Sequence, residues 1–135
     1  MGLKPSADDY ARAARLREAL AVFIRSSEVI TRKHGLTLPR YQLLLMVKTA
    51  RDGSERASLM ELRERLQLAQ STVVELASRA EAHGLVRREL SAANRRLIFI
   101  ALTPEGKRRL ARALTELTRE RQRLSESIAR LAKDA

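Results

Sequence analysis

Two pairs of arginines and one run of polar residues carry the chemistry that this sequence offers. Arg87 and Arg88 are adjacent in the sequence, as are Arg95 and Arg96. A guanidinium donates hydrogen bonds in a planar fork that matches phosphate oxygens and guanine edges. The run from residue 70 to 72, Gln-Ser-Thr, offers short donors and acceptors that suit base edges or phosphates. These residue types point to hydrogen bonding with a nucleic acid.

The overall charge agrees with such a partner. The chain has 27 basic residues against 16 acidic ones, a formal net charge of +11, and all but five of the basic residues are arginines. A field of this sign attracts polyanions. Aromatic residues make up only 3% of the chain, whereas proteins that read single strands stack bases on several exposed rings. We therefore expect double-stranded DNA as the partner.

The sequence offers little support for catalysis, for cofactor or metal binding, or for membrane insertion. The chain has no cysteine, its two histidines are His34 and His83, and its five glycines form no phosphate-binding loop. We expect no catalytic residues, no cofactor and no metal. The longest apolar runs are too short to cross a bilayer, so we expect no membrane partner. The absence of cysteine fits a reducing interior, and with DNA as the partner we expect a cytoplasmic, nucleoid-associated protein.

The arginine pairs and the polar run must be positioned by short helices and a hairpin. Apolar spacing predicts a first helix from about Asp8 to Arg32 and a second that opens at Thr37 and Pro39. A third begins at Ser58, where Ser58 and Glu61 form a predicted capping box. After a tight turn at 67–69, a fourth helix runs over about 70–83 and starts with the polar run.

Two strands and a last helical segment complete the chain. Residues 85–90 and 97–102 have strand composition, and the connection between them ends in Arg95 and Arg96. Thr103 and Pro104 open the final helix. Its leucines and isoleucine recur every three or four residues, with one step broken at Arg121. This stripe and the first helix are predicted to pack against a second copy of the chain through Leu16, Leu20, Leu117, Leu124, Ile128 and Leu131.

Two short helices, a tight turn and a basic hairpin are typical of a winged helix-turn-helix. We therefore predict one domain over 1–135 that is mainly α with a small β-hairpin wing. Dimerisation helices at 8–34 and 104–135 flank a winged lobe at 37–102. The predicted DNA-binding residues are Gln70, Ser71, Thr72, Glu75, Ser78, Arg79, Arg87, Arg88, Arg95 and Arg96. The competing interpretation is that Ser71 and Thr72 only cap their helix, and that the arginine pairs are solvated surface.

The order and spacing of several landmarks resemble the multiple antibiotic resistance regulator (MarR) family over nearly the whole chain. They are Gly35-Leu36-Thr37, residues 59–68, Ser71-Thr72-Val73, Gly84-Leu85-Val86-Arg87-Arg88 and Leu102-Thr103-Pro104-Glu105-Gly106. The resemblance implies a prokaryotic, cytoplasmic homodimer that represses transcription from a pseudo-palindromic operator. It also implies release by a small aromatic or phenolic ligand, and Arg25, His34 and Tyr41 are candidate contacts in the crevice between the dimer helices and the lobe.

Two positions depart from the family pattern. Asn94 stands where an aspartate commonly precedes the wing arginines, so the orientation of Arg96 is open. Glu75 lies on the DNA face of the fourth helix, where a carboxylate repels phosphate or accepts a hydrogen bond from cytosine N4. The simpler interpretation of Glu75 is an ion pair with Arg79 four residues later.

Two other functions remain open. A non-specific, architectural nucleic-acid-binding protein would bind every duplex with similar affinity, whereas a regulator would bind one palindrome far more tightly than random DNA. A helical module that binds protein would leave DNA binding unaffected by Arg95→Ala and Arg96→Ala.

Overall fold

Most helices begin where the sequence supplies a capping side chain. In the computed structural model, which describes residues 4–94 and 96–133, the hydroxyls of Ser6, Thr37, Ser58 and Thr103 each accept a hydrogen bond from a first-turn amide. The helices and strands of this part of the chain are α1 Ala7–Lys33, α2 Leu38–Lys48, β1 Arg56–Ser58, α3 Leu59–Leu66, α4 Gln70–Ala82, β2 Val86–Leu90, β3 Ile98–Leu102, α5 Pro104–Glu116 and α6 Thr118–Lys133.

The predicted capping box at Ser58 forms only by half. Ser58 accepts from the Glu61 amide at 3.1 Å, but the Glu61 carboxylate accepts from the Arg51 amide and pairs with Arg65 instead. The Arg65 guanidinium also donates to the carbonyl oxygens of Met46 and Thr49 at the end of α2. Glu61 and Arg65 therefore join α2 to α3, where the capping box would have served α3 alone.

The hairpin is part of a three-stranded antiparallel sheet in the order β1-β3-β2. Val86 lies opposite Leu102 and Leu90 opposite Ile98, which confirms the predicted hairpin to within a residue at each end. The sequence prediction missed β1, whose Ala57 pairs with Ile100. Both of these side chains are fully buried, so β1 is an edge strand of the sheet that also contributes to the core.

The core lies between α2, α3, α4, the sheet and α5. It includes Leu43, Leu44, Leu62, Val73, Ala77, Leu85 and Ile100, all at most 1% exposed. By contrast, α6 has no buried residue and packs mainly along α1. We call α2 to α5, which share this core, the lobe, and α1 with α6 the arm.

The last helical segment is two helices, α5 and α6, that meet at Leu117. Leu117 is 2% exposed and belongs to the chain's own core. The prediction that Leu117 contacts a second copy is therefore corrected, because its side chain has almost no free surface. No helix in the described part of the chain is both long and apolar enough to cross a bilayer.

Candidate nucleic-acid interface

A tight turn with one residue in the left-handed conformation joins α3 to α4. Gln67 ends α3 at φ 55°, and its side-chain amide donates to the Glu64 carbonyl oxygen at 2.6 Å. Beyond the turn, α4 buries Val73, Ala77 and Ala80 against the core. Their spacing leaves the opposite face of α4 to solvent.

The first turn of α4 is open. Its first helical hydrogen bond runs from the Val73 amide to the Ala69 carbonyl oxygen at 3.1 Å, and within the described residues no side chain caps this end. The side chains of Gln70, Ser71 and Thr72 are exposed. The interpretation that Ser71 and Thr72 only cap the helix is therefore wrong. Free amides and the positive end of the helix dipole favour an anion such as phosphate here.

Further along the exposed face of α4, Glu75 pairs with Arg79. The carboxylate oxygen and the guanidinium nitrogen are 2.7 Å apart, and both side chains are more than 60% exposed. The ion pair that we predicted as the simpler interpretation of Glu75 is therefore present. The pair neutralises part of the positive charge on this face, although an exposed pair of this kind is held only weakly.

The wing is joined to α4 by Arg88. Its guanidinium donates to the Ser78 hydroxyl at 2.5 Å and lies 3.5 Å from the Glu81 carboxylate. The Arg88 amide donates to the same carboxylate at 3.2 Å. Arg88 and Ser78, both predicted as DNA contacts, are thus brought together as a brace between strand and helix.

The outer face of the sheet carries a linked group of charges. The Glu89 carboxylate lies 2.9 Å from Arg87 Nε and 2.5 Å from Arg56 Nε. The two arginines lie on either side of Ala101 in the sheet. The Arg56 guanidinium lies over the Phe99 ring, 4.7 Å from its centroid. Sequence reasoning missed Arg56 because its role depends on the pairing of β1 with β3. The Arg87 side chain remains 57% exposed.

The tip of the wing is a polar turn. Arg96 is exposed, and its amide donates to the Asn94 side-chain oxygen at 3.0 Å. The Ser91 hydroxyl accepts from the amides of Ala93 and Asn94 at 3.3 Å. The neutral amide of Asn94 therefore fixes the backbone of Arg96. The other predicted tip residue, Arg95, lies outside the described residues.

The three candidate ligand contacts have separate partners within the chain. Arg25 lies 3.9 Å from Glu28 and its side chain is 75% exposed. The His34 ring nitrogen lies 3.1 Å from a Glu116 carboxylate oxygen. Tyr41 is 6% exposed, and burial raises the pKa of its hydroxyl, while the charged, hydrogen-bonded Arg121 partly opposes that rise. The structure does not bring these three residues to one cavity.

A groove of about 620 Å³ lies instead between α1 and α6. Leu124 and Leu131, two of the predicted dimerisation residues, line it together with Val22 and Phe23. Leu20 is half-buried, while Leu16 and Ile128 are 39% and 44% exposed. Sequence reasoning missed Val22, which is 66% exposed and extends the same apolar surface. Within the described residues, no cluster of three or more acidic or histidine side chains is placed to hold a metal ion.

Comparison with known sequences finds a matching family model and several similar proteins. A family model described as MarR family matches residues 34–97. The transcriptional regulator HosA of Escherichia coli is 37% identical over 79 residues, which are 58% of this chain and 56% of HosA. The chain therefore matches little more than half the length of these curated relatives.

Solved structures share the fold. AbsC, a MarR family transcriptional regulator from Streptomyces coelicolor, superposes with a TM-score of 0.83 at 19% identity, over 98% of this chain and 93% of AbsC. Sco3205 from the same organism, solved in complex with DNA, has a TM-score of 0.81 at 19% identity, over 98% and 88%. A mutant MarR from Escherichia coli complexed with operator DNA has a TM-score of 0.74 at 15% identity, over 87% and 85%.

Proposed function

We propose that this chain is a member of the MarR family and acts as a transcriptional regulator that binds double-stranded DNA sequence-specifically; the family model, the similarity to HosA and the shared fold support this. The open first turn of α4 is the observation that carries this proposal. Three exposed polar side chains and the free amides of the same turn lie together there, on a helix whose other face is buried. Such a turn can approach the major groove closely enough to contact both base edges and phosphates.

The wing adds the second part of the proposed contact. Arg88 holds β2 against α4, while Arg87 and Arg96 leave their guanidinium groups exposed. An arginine at the tip of a wing suits a narrow, electronegative minor groove. We assign DNA contacts to Gln70, Ser71, Thr72, Arg79, Arg87 and Arg96, with Glu75 as a modulator and Ser78 and Arg88 as the brace. Arg95 precedes Arg96 in the sequence, and we propose the same role for it.

We further propose that the protein acts as a homodimeric repressor on a pseudo-palindromic operator. The support is the apolar surface of the arm, where Leu16, Val22 and Ile128 are exposed beside the groove between α1 and α6. A contiguous apolar surface of this kind is typical of an interface. Relief by a small aromatic ligand is part of the same proposal, and it rests on the family alone.

Selection of bound duplexes from a random pool tests the proposed function. A regulator enriches one palindrome, and its affinity for that palindrome exceeds its affinity for shuffled DNA by about a thousandfold or more at physiological salt. Similar affinity for every duplex would favour the architectural alternative. An absence of DNA binding would favour a module that binds protein.

Two variants make the test specific to the interface. Arg96→Ala should weaken operator binding by about 1–3 kcal/mol if the side chain enters a groove. Arg119→Ala removes an exposed arginine from α6 and serves as the matched control, which should bind as the wild type does.

Adding aromatic acids to the preformed complex then tests whether a ligand releases the DNA.

A further inference from the structure

The junction between α5 and α6 is bridged by one side chain. Arg121 donates from one guanidinium nitrogen to the Leu114 carbonyl oxygen and from the other to the Thr118 hydroxyl, both at 3.0 Å. The Thr118 hydroxyl itself donates to the Leu114 carbonyl oxygen at 3.5 Å. Arg121 thereby joins the last turn of α5 to the first turn of α6.

The same guanidinium also acts on a second helix of the lobe. Its positive charge lies close enough to Tyr41 on α2, whose side chain is almost fully buried, to lower the pKa of that hydroxyl against the effect of burial. The end of α2 is in turn held to α3 by Arg65, and α3 leads through the tight turn at Gln67 into α4. Arg121 therefore bonds directly to α5 and acts electrostatically on α2, and α5 packs into the same core as α4 through Leu110, Ala113 and Leu117.

The position of Arg121 fits this bridging role. It interrupts the stripe of apolar residues along the C-terminal segment, at a step where a leucine or isoleucine would continue the pattern. Leu117 is buried in the core directly beneath the junction, while α6 beyond it has no buried residue. The core therefore fixes the pivot of α6, and the Arg121 contacts restrain its direction.

We propose that Arg121 is a positioning residue that sets the angle between the arm and the lobe. In a homodimer built through the arms, this angle fixes the separation of the two α4 helices and hence the spacing of half-sites that the protein accepts. Recognition helices of such dimers enter successive major grooves one helical turn apart. The spacing part of the inference rests on the proposed function, whereas the angle itself does not.

The angle can be measured without DNA. The chain has no cysteine, so Met60→Cys on α3 and Gln122→Cys on α6, both exposed, accept spin labels selectively. The labelled chain is diluted in excess unlabelled protein, so that each assembly carries at most one labelled chain. Double electron–electron resonance then measures the distance between the two spin labels, one on the lobe and one on the arm, within a single chain.

We expect a single narrow distance distribution for the wild type and a broader or shifted one for Arg121→Met, which keeps the length but loses all donors. Arg121→Lys keeps the charge without the fork and should lie between the two. Arg119→Met, an exposed arginine two residues earlier, is the matched control. A distribution in Arg121→Met and Arg121→Lys identical to that of the wild type would overturn the proposal. Circular dichroism confirms that each variant is folded.

Binding to duplexes whose half-sites are separated by added or removed base pairs tests the consequence. Arg121→Met should lose about tenfold in affinity at the preferred spacing and discriminate less among spacings, while its preference for the half-site sequence stays intact. An altered distance with an unchanged spacing profile would confirm that Arg121 sets the angle and would refute the inference that this angle fixes the half-site spacing. If the wild type prefers no palindrome, the proposed function fails, and the label distances still decide whether Arg121 sets the angle.

Discussion

The Arg88 guanidinium donates to the Ser78 hydroxyl at 2.5 Å and so ties the second strand of the sheet to α4. Ser78 lies two turns beyond the open start of α4, and Arg88 lies on the strand that leads to the wing tip. One hydrogen bond therefore links the two elements that we propose to contact DNA. Its free energy is measurable because neither side chain belongs to the core.

Arg88→Met and Ser78→Ala should each lower stability by about 1 kcal/mol, the usual contribution of one hydrogen bond. A double-mutant cycle from urea unfolding should give a coupling of about 0.5–1 kcal/mol. The single variants should also weaken operator binding, because the wing loses its fixed orientation. Additive effects of the two changes would show that the hydrogen bond contributes nothing to stability.

Glu75→Gln should tighten DNA binding. The change removes the negative charge nearest the open turn and frees the Arg79 guanidinium from its ion pair. One unit charge facing phosphate across water is worth about 1 kcal/mol, so affinity for all duplexes should rise roughly fivefold. Glu18→Gln on α1, which is also exposed, makes the same charge change in the arm and should have a smaller effect. A loss of affinity confined to sites with one particular cytosine would instead show that Glu75 reads that base.

Ile128→Glu should split the proposed homodimer. Ile128 is 44% exposed on α6, so the single chain should fold normally, while a dimer would bury an unpaired carboxylate at its interface. Light scattering should report a mass near 15.2 kDa, that of one chain. Gln122→Glu makes the same charge change at another exposed position of α6 and should remain dimeric. A dimeric Ile128→Glu protein would place the interface elsewhere.

Gly106→Ala should be severely destabilising. Gly106 lies in the first turn of α5, where an added Cβ would meet the Leu85 carbonyl oxygen at 2.0 Å. That oxygen accepts from the Thr103 amide at 3.0 Å, so it cannot move without breaking a contact. Thermal or urea unfolding should show a loss of about 3 kcal/mol. Arg112→Ala changes an exposed residue of the same helix and should cost little. A Gly106→Ala protein of wild-type stability would contradict the close approach of α5 to Leu85.

Alkaline pH should destabilise the protein through Tyr41. Burial raises the pKa of its hydroxyl above the ordinary value of 10.0, so the folded chain keeps a proton that the unfolded chain releases. The stabilisation is therefore fully present below pH 10 and declines as the pH rises toward the folded pKa. Tyr41→Phe removes this contribution, and its stability should fall less steeply above pH 10. Parallel alkaline curves for the two proteins would exclude Tyr41 as the source.

Local signals made much of the fold predictable. Thr37, Ser58 and Thr103 each mark a helix start because a hydroxyl satisfies an amide within three residues. Helical spacing of apolar residues placed α4, and strand composition placed the hairpin, to within about a residue. The missed strand β1 has only three residues, and a segment that short forms a strand only because β3 supplies its hydrogen-bond partners.

The sequence by itself determined the winged helix-turn-helix, the basic surface and the run Gln70-Ser71-Thr72, because caps, periodicity and charge act over a few neighbouring residues. Tertiary structure alone decided which of those groups are free and which are engaged. Arg88 became a brace, Leu117 a core residue and Arg121 a bridge between helices, while the first turn of α4 stayed open. Arg88 reaches Ser78 ten residues earlier and Arg121 reaches Leu114 seven residues earlier on another helix. A local pattern contains no information about which side chain from another element reaches a given atom.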